Sequence, residues 1–159
     1  RIESSAASDV YKRQVYDFLH FADKKGVKIY YLTNRLESFR EATKKNILKL
    51  GLPFEDDSVL LMRSEENLRD KTDRRKKIAN ESRIVLIIGD QLTDFISTKE
   101  AYVFHTERKK LAKKYSDLWG TKWFLITNPT YGRWELSIYE NYPSSEEEAI
   151  ETRKNTLIQ

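Results

Sequence analysis

Two carboxylates four residues apart, Asp90 and Asp94, follow the aliphatic run Ile84-Val85-Leu86-Ile87-Ile88 and the single glycine Gly89. Carboxylates delivered at the end of an apolar segment are the oxygen donors that a hard divalent cation uses. In that arrangement Asp90 ligates Mg2+ directly, and Asp94 acts through a water or holds a neighbouring ligand in place. The same residues also admit a plainer reading, a Gly-Asp turn in which Asp94 caps the helix that follows. These residues alone do not choose between the two.

The elements around the pair sharpen the first reading. Four of the five aliphatic residues before Gly89 are β-branched, which suits a strand buried on both faces at the middle of a parallel sheet. The carboxyl edge of such a sheet is where α/β proteins bind ligands. Upstream, Val15, Phe18, Leu19 and Ala22 recur at helical spacing and Gly26 stands where a C-terminal cap belongs. Val27 to Leu32 reads as a strand that leads into Thr33-Asn34-Arg35. A helix is expected from about Glu37 to Leu50 with Gly51 as its stop, and a short strand at Val59 to Met62. Between Arg63 and Ser82 the chain is strongly basic and reads as a solvated helix, with Ile78 and Ala79 able to hold one turn against a core. Leu111, Tyr115 and Leu118 outline a further helix, and Trp123 to Ile126 a last strand broken by Asn128-Pro129. The segment from Ser144 to Lys154, acidic first and basic last, matches the dipole of a helix capped by serines. Strands separated by helices imply right-handed crossovers, and so a three-layer α/β/α, Rossmann-like domain with a mostly parallel sheet.

Composition narrows the classes of partner. Ser4 to Gln14 matches, codon for codon, the translation of a transposase-based sequencing adapter, so residues 1–14 are set aside as non-native and residues 15–159 are read as one domain. The formal charge of +4 falls by one on that exclusion. A surplus so small does not mark a nucleic-acid binder, and the positives at Arg69 to Lys77 and Arg108 to Lys114 lack interleaved stacking aromatics. No apolar run is long enough to span a membrane. The absence of cysteine excludes disulfides and thiolate-bound metals. His20 and His105 have no partner at ligand spacing and are expected to be structural.

Taken together, Tyr31-Leu32-Thr33-Asn34-Arg35, Asp70-Lys71-Thr72, Ile88-Gly89-Asp90-Gln91-Leu92-Thr93-Asp94-Phe95 and Asn128-Pro129-Thr130-Tyr131-Gly132-Arg133-Trp134-Glu135 resemble blocks of the haloacid dehalogenase-like (HAD-like) phosphatases. The likeness is closest to the bacterial class C acid phosphatases, a secreted and often lipid-anchored group of nucleotidases, and it runs from about Val15 to Tyr142. The Gly-Asp block is shared across the superfamily. The Thr-Asn-Arg and Asn-x-x-Tyr-Gly-x-Trp blocks point to the subgroup.

The resemblance implies a Mg2+-dependent phosphomonoesterase, with catalytic roles for Thr33, Lys71, Asp90 and Asp94. Thr33 and Asn34 would hold phosphoryl oxygens, and Lys71 would set a compact ammonium charge against the phosphoryl group as it transfers. Asp90 would bind the metal, with Asp94 behind it fixing a metal-bound water or a neighbouring ligand. Tyr131 would stack on a nucleobase, making a nucleoside monophosphate a candidate substrate among small phosphomonoesters; Arg133 stands where the group often carries a small residue. The resemblance also implies a periplasmic, secreted or outer-membrane lipoprotein location, and it is compatible with a homo-oligomer. One feature of the family is missing: no Asp-x-Asp motif follows an apolar strand anywhere in the chain. That motif supplies the aspartyl nucleophile and the acid-base group. The chain is therefore expected to lack the first strand of the fold, to represent the C-terminal part of an enzyme and to be inactive alone. The competing expectation is a non-catalytic HAD-like binding or scaffold domain in which the Asp pair is only a turn and a cap.

Overall fold

The computed structural model describes residues 2–64, 69–126, 128, 135–139 and 143–157. The chain forms two compact units, Arg1–Arg69 and Asp70–Gln159.

In the first unit, helix α1 (Ile2–Lys24) runs through the adapter-like stretch and into the amphipathic segment. It ends at Gly26, whose φ of 74° only glycine adopts cheaply, and the Val27 amide turns back to the Ala22 carbonyl at 3.0 Å. Strand β1 (Tyr31–Leu36) pairs in parallel with β2 (Leu60–Arg63), placing Tyr31 opposite Leu60 and Leu36 opposite Arg63. Helix α2 (Arg40–Lys49) connects them after a 3-10 turn at Glu37–Phe39. Ile47 from α2 packs on Leu60 and Met62 of β2, with Tyr31, Leu52 and Phe54 around them. The His20 ring donates to the Gly51 carbonyl at 2.8 Å, which gives this histidine a structural partner, as expected. The first strand falls later than Val27 to Leu32. It contains Thr33, Asn34 and Arg35 instead of stopping before them, because the ladder partner β2 pairs only from Tyr31 onward. Val27, outside that ladder, is 41% exposed.

In the second unit, α3 (Thr72–Glu81) precedes β3 (Ile87–Gly89), a 3-10 turn at Leu92–Asp94 and the short helix α4 (Thr98–Ala101). Helix α5 (His105–Lys114), strand β4 (Trp123–Leu125), a 3-10 turn at Glu135–Ile138 and α6 (Glu146–Leu157) complete it. β3 and β4 are parallel, with Ile87, Ile88 and Gly89 opposite Trp123, Phe124 and Leu125. Phe95, Ile96 and Ala101 form the buried centre, packed by Leu111, Tyr115, Trp119 and Trp123. Phe95 meets Trp119 edge to face at 5.0 Å between ring centroids, a geometry that aromatic quadrupoles favour. The Ser145 hydroxyl accepts the Glu148 amide ahead of α6, the serine cap expected for that helix.

The α/β class with parallel strands holds, with three local corrections. The Ile84 to Ile88 run forms a strand only at Ile87–Gly89, half-buried, and Val85 is 52% exposed. A mid-sheet strand has ladder partners on both edges, and among the described residues β3 pairs with β4 alone, which makes it an edge strand there. In the basic stretch Ile78 is buried as expected, whereas Ala79 is exposed. The helix through Leu111 closes at Lys114, and Tyr115 to Leu118 turn back toward β4. No helix among the described residues is long and apolar enough to cross a membrane.

Candidate active site

β3 ends at Gly89, and the chain then folds back on itself through Asp90 to Asp94. One oxygen of Asp94, Oδ2, accepts the backbone amides of Asp90 and Gln91, both at 3.0 Å. Together with the Gln91 side chain this makes a capping box around the 3-10 turn. The other oxygen, Oδ1, lies 2.7 Å from the Lys71 ammonium, and both side chains are largely withdrawn from water, 17% exposed for Lys71 and 10% for Asp94. Asp94 thus caps the turn with one oxygen, as the plainer reading expects, and pairs the Lys71 ammonium with the other.

Asp90 presents its carboxylate at the same strand end, where Oδ2 accepts from the Asn128 amide at 2.6 Å. Among the described residues no group of three or more His, Cys, Asp or Glu is gathered closely enough to hold a metal ion. Mg2+ keeps several of its own waters and is held by one or two carboxylates with substrate oxygens, not by a complete protein cage. Asp90 fits that role as a single ligand. Asp94 does not fit as a direct one, since an ammonium and two amides already occupy its oxygens.

Lys71 precedes α3, and its neighbour Asp70 fixes how it enters. Asp70 Oδ1 accepts the Thr72 amide at 2.7 Å, an Asx turn, while Oδ2 accepts the Thr98 amide at 2.6 Å and the Thr98 hydroxyl at 2.7 Å. Burial alone would raise the Asp70 pKa, but the hydrogen bonds from Thr72 and Thr98 outweigh it and hold the carboxyl well below its usual range. Arg75, one turn along α3, donates to the carbonyls of Thr93 and Asp94 at 3.2 and 3.0 Å and to the Thr72 hydroxyl at 3.1 Å. Burial pushes the Arg75 guanidinium below its ordinary value. This residue corrects the reading of the basic stretch as a solvated face.

Thr33 and Asn34 lie on β1 in the first unit, and Lys71, Asp90 and Asp94 in the second. The Thr33 hydroxyl accepts the Arg35 amide at 3.2 Å, and Asn34 donates to the Arg69 carbonyl at 2.9 Å. Tyr131, with Arg133 and Trp134, lies outside the described residues. The structure thus brings together Lys71, Asp94 and the Asp90 backbone, and adds three residues that sequence reasoning did not assign to the site: Asn128, Asp70 and Arg75. A signal existed for Asp70, an aspartate two residues before a helix start. In the sequence Asn128 signals only a strand break and the start of a motif block. Arg75 had no signal, because the carbonyls it binds carry no side-chain identity.

A family profile described as HAD superfamily, subfamily IIIB (Acid phosphatase) matches residues 3–134. The structure of the class C acid phosphatase from Bacillus anthracis is similar at a TM-score of 0.75 and 31% identity, over 88% of this chain and 58% of that one. The same enzyme with tungstate bound is similar at a TM-score of 0.77 and 31% identity, over 89% and 59%. The chain thus spans less than two thirds of the length of these solved relatives. No curated protein matches it.

Proposed function

Because the chain belongs to the subfamily IIIB acid phosphatases of the HAD superfamily, we propose that it supplies the cation-binding and phosphate-binding part of a Mg2+-dependent phosphomonoesterase. The observation that carries this reading is the Lys71–Asp94 pair at 2.7 Å, held beside Asp90 at the carboxyl end of a parallel strand. The similar Bacillus anthracis enzyme has been solved with tungstate, a tetrahedral oxyanion, bound, which supports the phosphate part of this reading.

In this reading Asp90 would hold Mg2+, which when bound supplies positive charge to the phosphoryl oxygens. Lys71 contributes a second positive charge, and Asp94 keeps the ammonium in one place while closing the turn that presents Asp90. Thr33 and Asn34 carry, in this reading, the phosphoryl-oxygen roles that the resemblance of the Thr-Asn-Arg block implies. The substrate class is a small phosphomonoester, and a nucleoside monophosphate if Tyr131 stacks on the base. The aspartyl nucleophile belongs to an Asp-x-Asp motif that this sequence does not contain, so the 159-residue chain alone is expected to turn nothing over. Export to the periplasm or cell surface, as implied by the resemblance, is part of the same proposal.

In the full-length protein, Asp90→Asn should lower Mg2+-dependent hydrolysis of p-nitrophenyl phosphate by about 100-fold or more with the circular dichroism unchanged. Unaltered turnover in that variant would remove Asp90 from the chemistry. A second reading, a non-catalytic domain of the same fold, is favoured by the complete engagement of Asp94 in a cap and an ion pair. A full-length wild-type protein that hydrolyses no phosphomonoester would select it.

A further inference from the structure

Lys71 and Asp94 are presented by separate segments of the second unit, one entering α3 and the other closing the turn after β3. An ion pair between flexible side chains holds its geometry only as well as those segments are held. Two residues cross between them. Asp70 ties the entry of α3 to the start of α4, bonding the Thr72 amide with one oxygen and the Thr98 amide and hydroxyl with the other. Arg75 reaches from the first turn of α3 to the Thr93 and Asp94 carbonyls, and its second amino group is braced on the Thr72 hydroxyl. The Lys71 carbonyl in turn accepts the Arg75 amide at 3.0 Å, and Arg74 donates to the Asp70 carbonyl at 3.2 Å. The peptide that carries Lys71 is therefore pinned on both sides, and the peptide that carries Asp94 is gripped from α3 itself.

We infer that Asp70 and Arg75 are positioning residues: together they lock the Lys71 segment onto the Asp94 turn, so that the ammonium stands fixed at the end of β3. The chemistry fits the task. A guanidinium has donors in a rigid fork and can hold two carbonyls and a hydroxyl at once, which a lysine ammonium on a flexible stem does far less well. A carboxylate with two oxygens can serve two helix starts simultaneously, each of which has amides with no partner inside its own helix. The catalytic meaning of the lock rests on the phosphatase reading, whereas the lock itself is a property of this chain.

The two can be tested separately. In the 159-residue chain, Lys71 is paired and 17% exposed, whereas Lys110 is 74% exposed and serves as an internal reference. Acetylation by a water-soluble ester, read by peptide mass spectrometry, should rise at Lys71 relative to Lys110 by about threefold or more in Arg75→Met, through local opening of the pinned segment. Thr98→Val, which removes one hydroxyl from Asp70 and leaves the backbone donor, should give a smaller rise in the same direction and covers the case in which Arg75→Met does not fold. Unchanged Lys71 labelling in a folded variant overturns the lock. In the full-length phosphatase, Arg75→Met should lower kcat by about 10- to 100-fold with little change in KM, and Arg75→Lys should recover part of it. A uniform rise in KM with kcat retained would show that Arg75 does not act through Lys71. If the wild-type full-length protein has no phosphatase activity, the functional reading falls, and the labelling result still decides the positioning role.

Discussion

Asp94 can use both oxygens because Gly89 leaves room for it. A Cβ on Gly89 would fall inside contact distance of the Asp94 Cβ, Cγ and Oδ2 atoms. Gly89 does not have a positive φ, so the requirement here is space and not backbone freedom. Gly89→Ala should therefore push the Asp94 side chain off its amides and off Lys71, lowering stability by about 1–3 kcal/mol in urea unfolding. Unchanged stability in that variant would mean that the turn can move at no cost. The Gly-Asp pair was legible in the sequence as a strand end with metal-binding potential. That the glycine exists to admit the fourth residue after the aspartate was not legible, because only the folded turn brings the two together.

The helices α3 and α4 owe their starts to the same carboxylate, and that coupling has a pH signature. The Asp70 carboxyl is depressed in the folded chain relative to an unfolded value of about 3.9. A group of this kind contributes stability that is fully present above its unfolded pKa and is lost as the pH falls through and below that value toward the folded one. Wild-type stability should therefore fall more steeply than that of Asp70→Asn between about pH 5 and pH 3, and a thermal melt of both across that range measures it. Parallel curves would show that Asp70 is not the titrating group. Element positions were legible where a local signal marked them, as with the glycine stops at Gly26 and Gly51 and the serines before α6. They slipped by several residues where the ladder partner decided, as in β1, since a parallel strand starts where its neighbour allows and not where its own β-branched run begins.

At the scale of the molecule, the parallel strands among the described residues come in two pairs, β1 with β2 and β3 with β4. Sheets this narrow depend on packing against helices for their stability. Large apolar side chains are exposed in both units, among them Phe21 at 59%, Leu50 at 64%, Val85 at 52% and Leu125 at 57%. The chain should accordingly unfold with less than the roughly 5–15 kcal/mol usual for a domain, and it should bind a hydrophobic dye in its native buffer. A cooperative denaturant transition within that range, with no dye binding, would contradict this. By itself the sequence determined the class of the fold, the order of its elements and three of the groups now found close together, Lys71, Asp90 and Asp94, because apolar periodicity, glycine stops and short motifs are local properties. Only the tertiary structure decided what Asp94 binds, which arginine of a basic run is withdrawn from water and why Asp70 precedes the lysine. Those choices depend on backbone carbonyls and amides from distant segments, which every residue possesses and no sequence distinguishes.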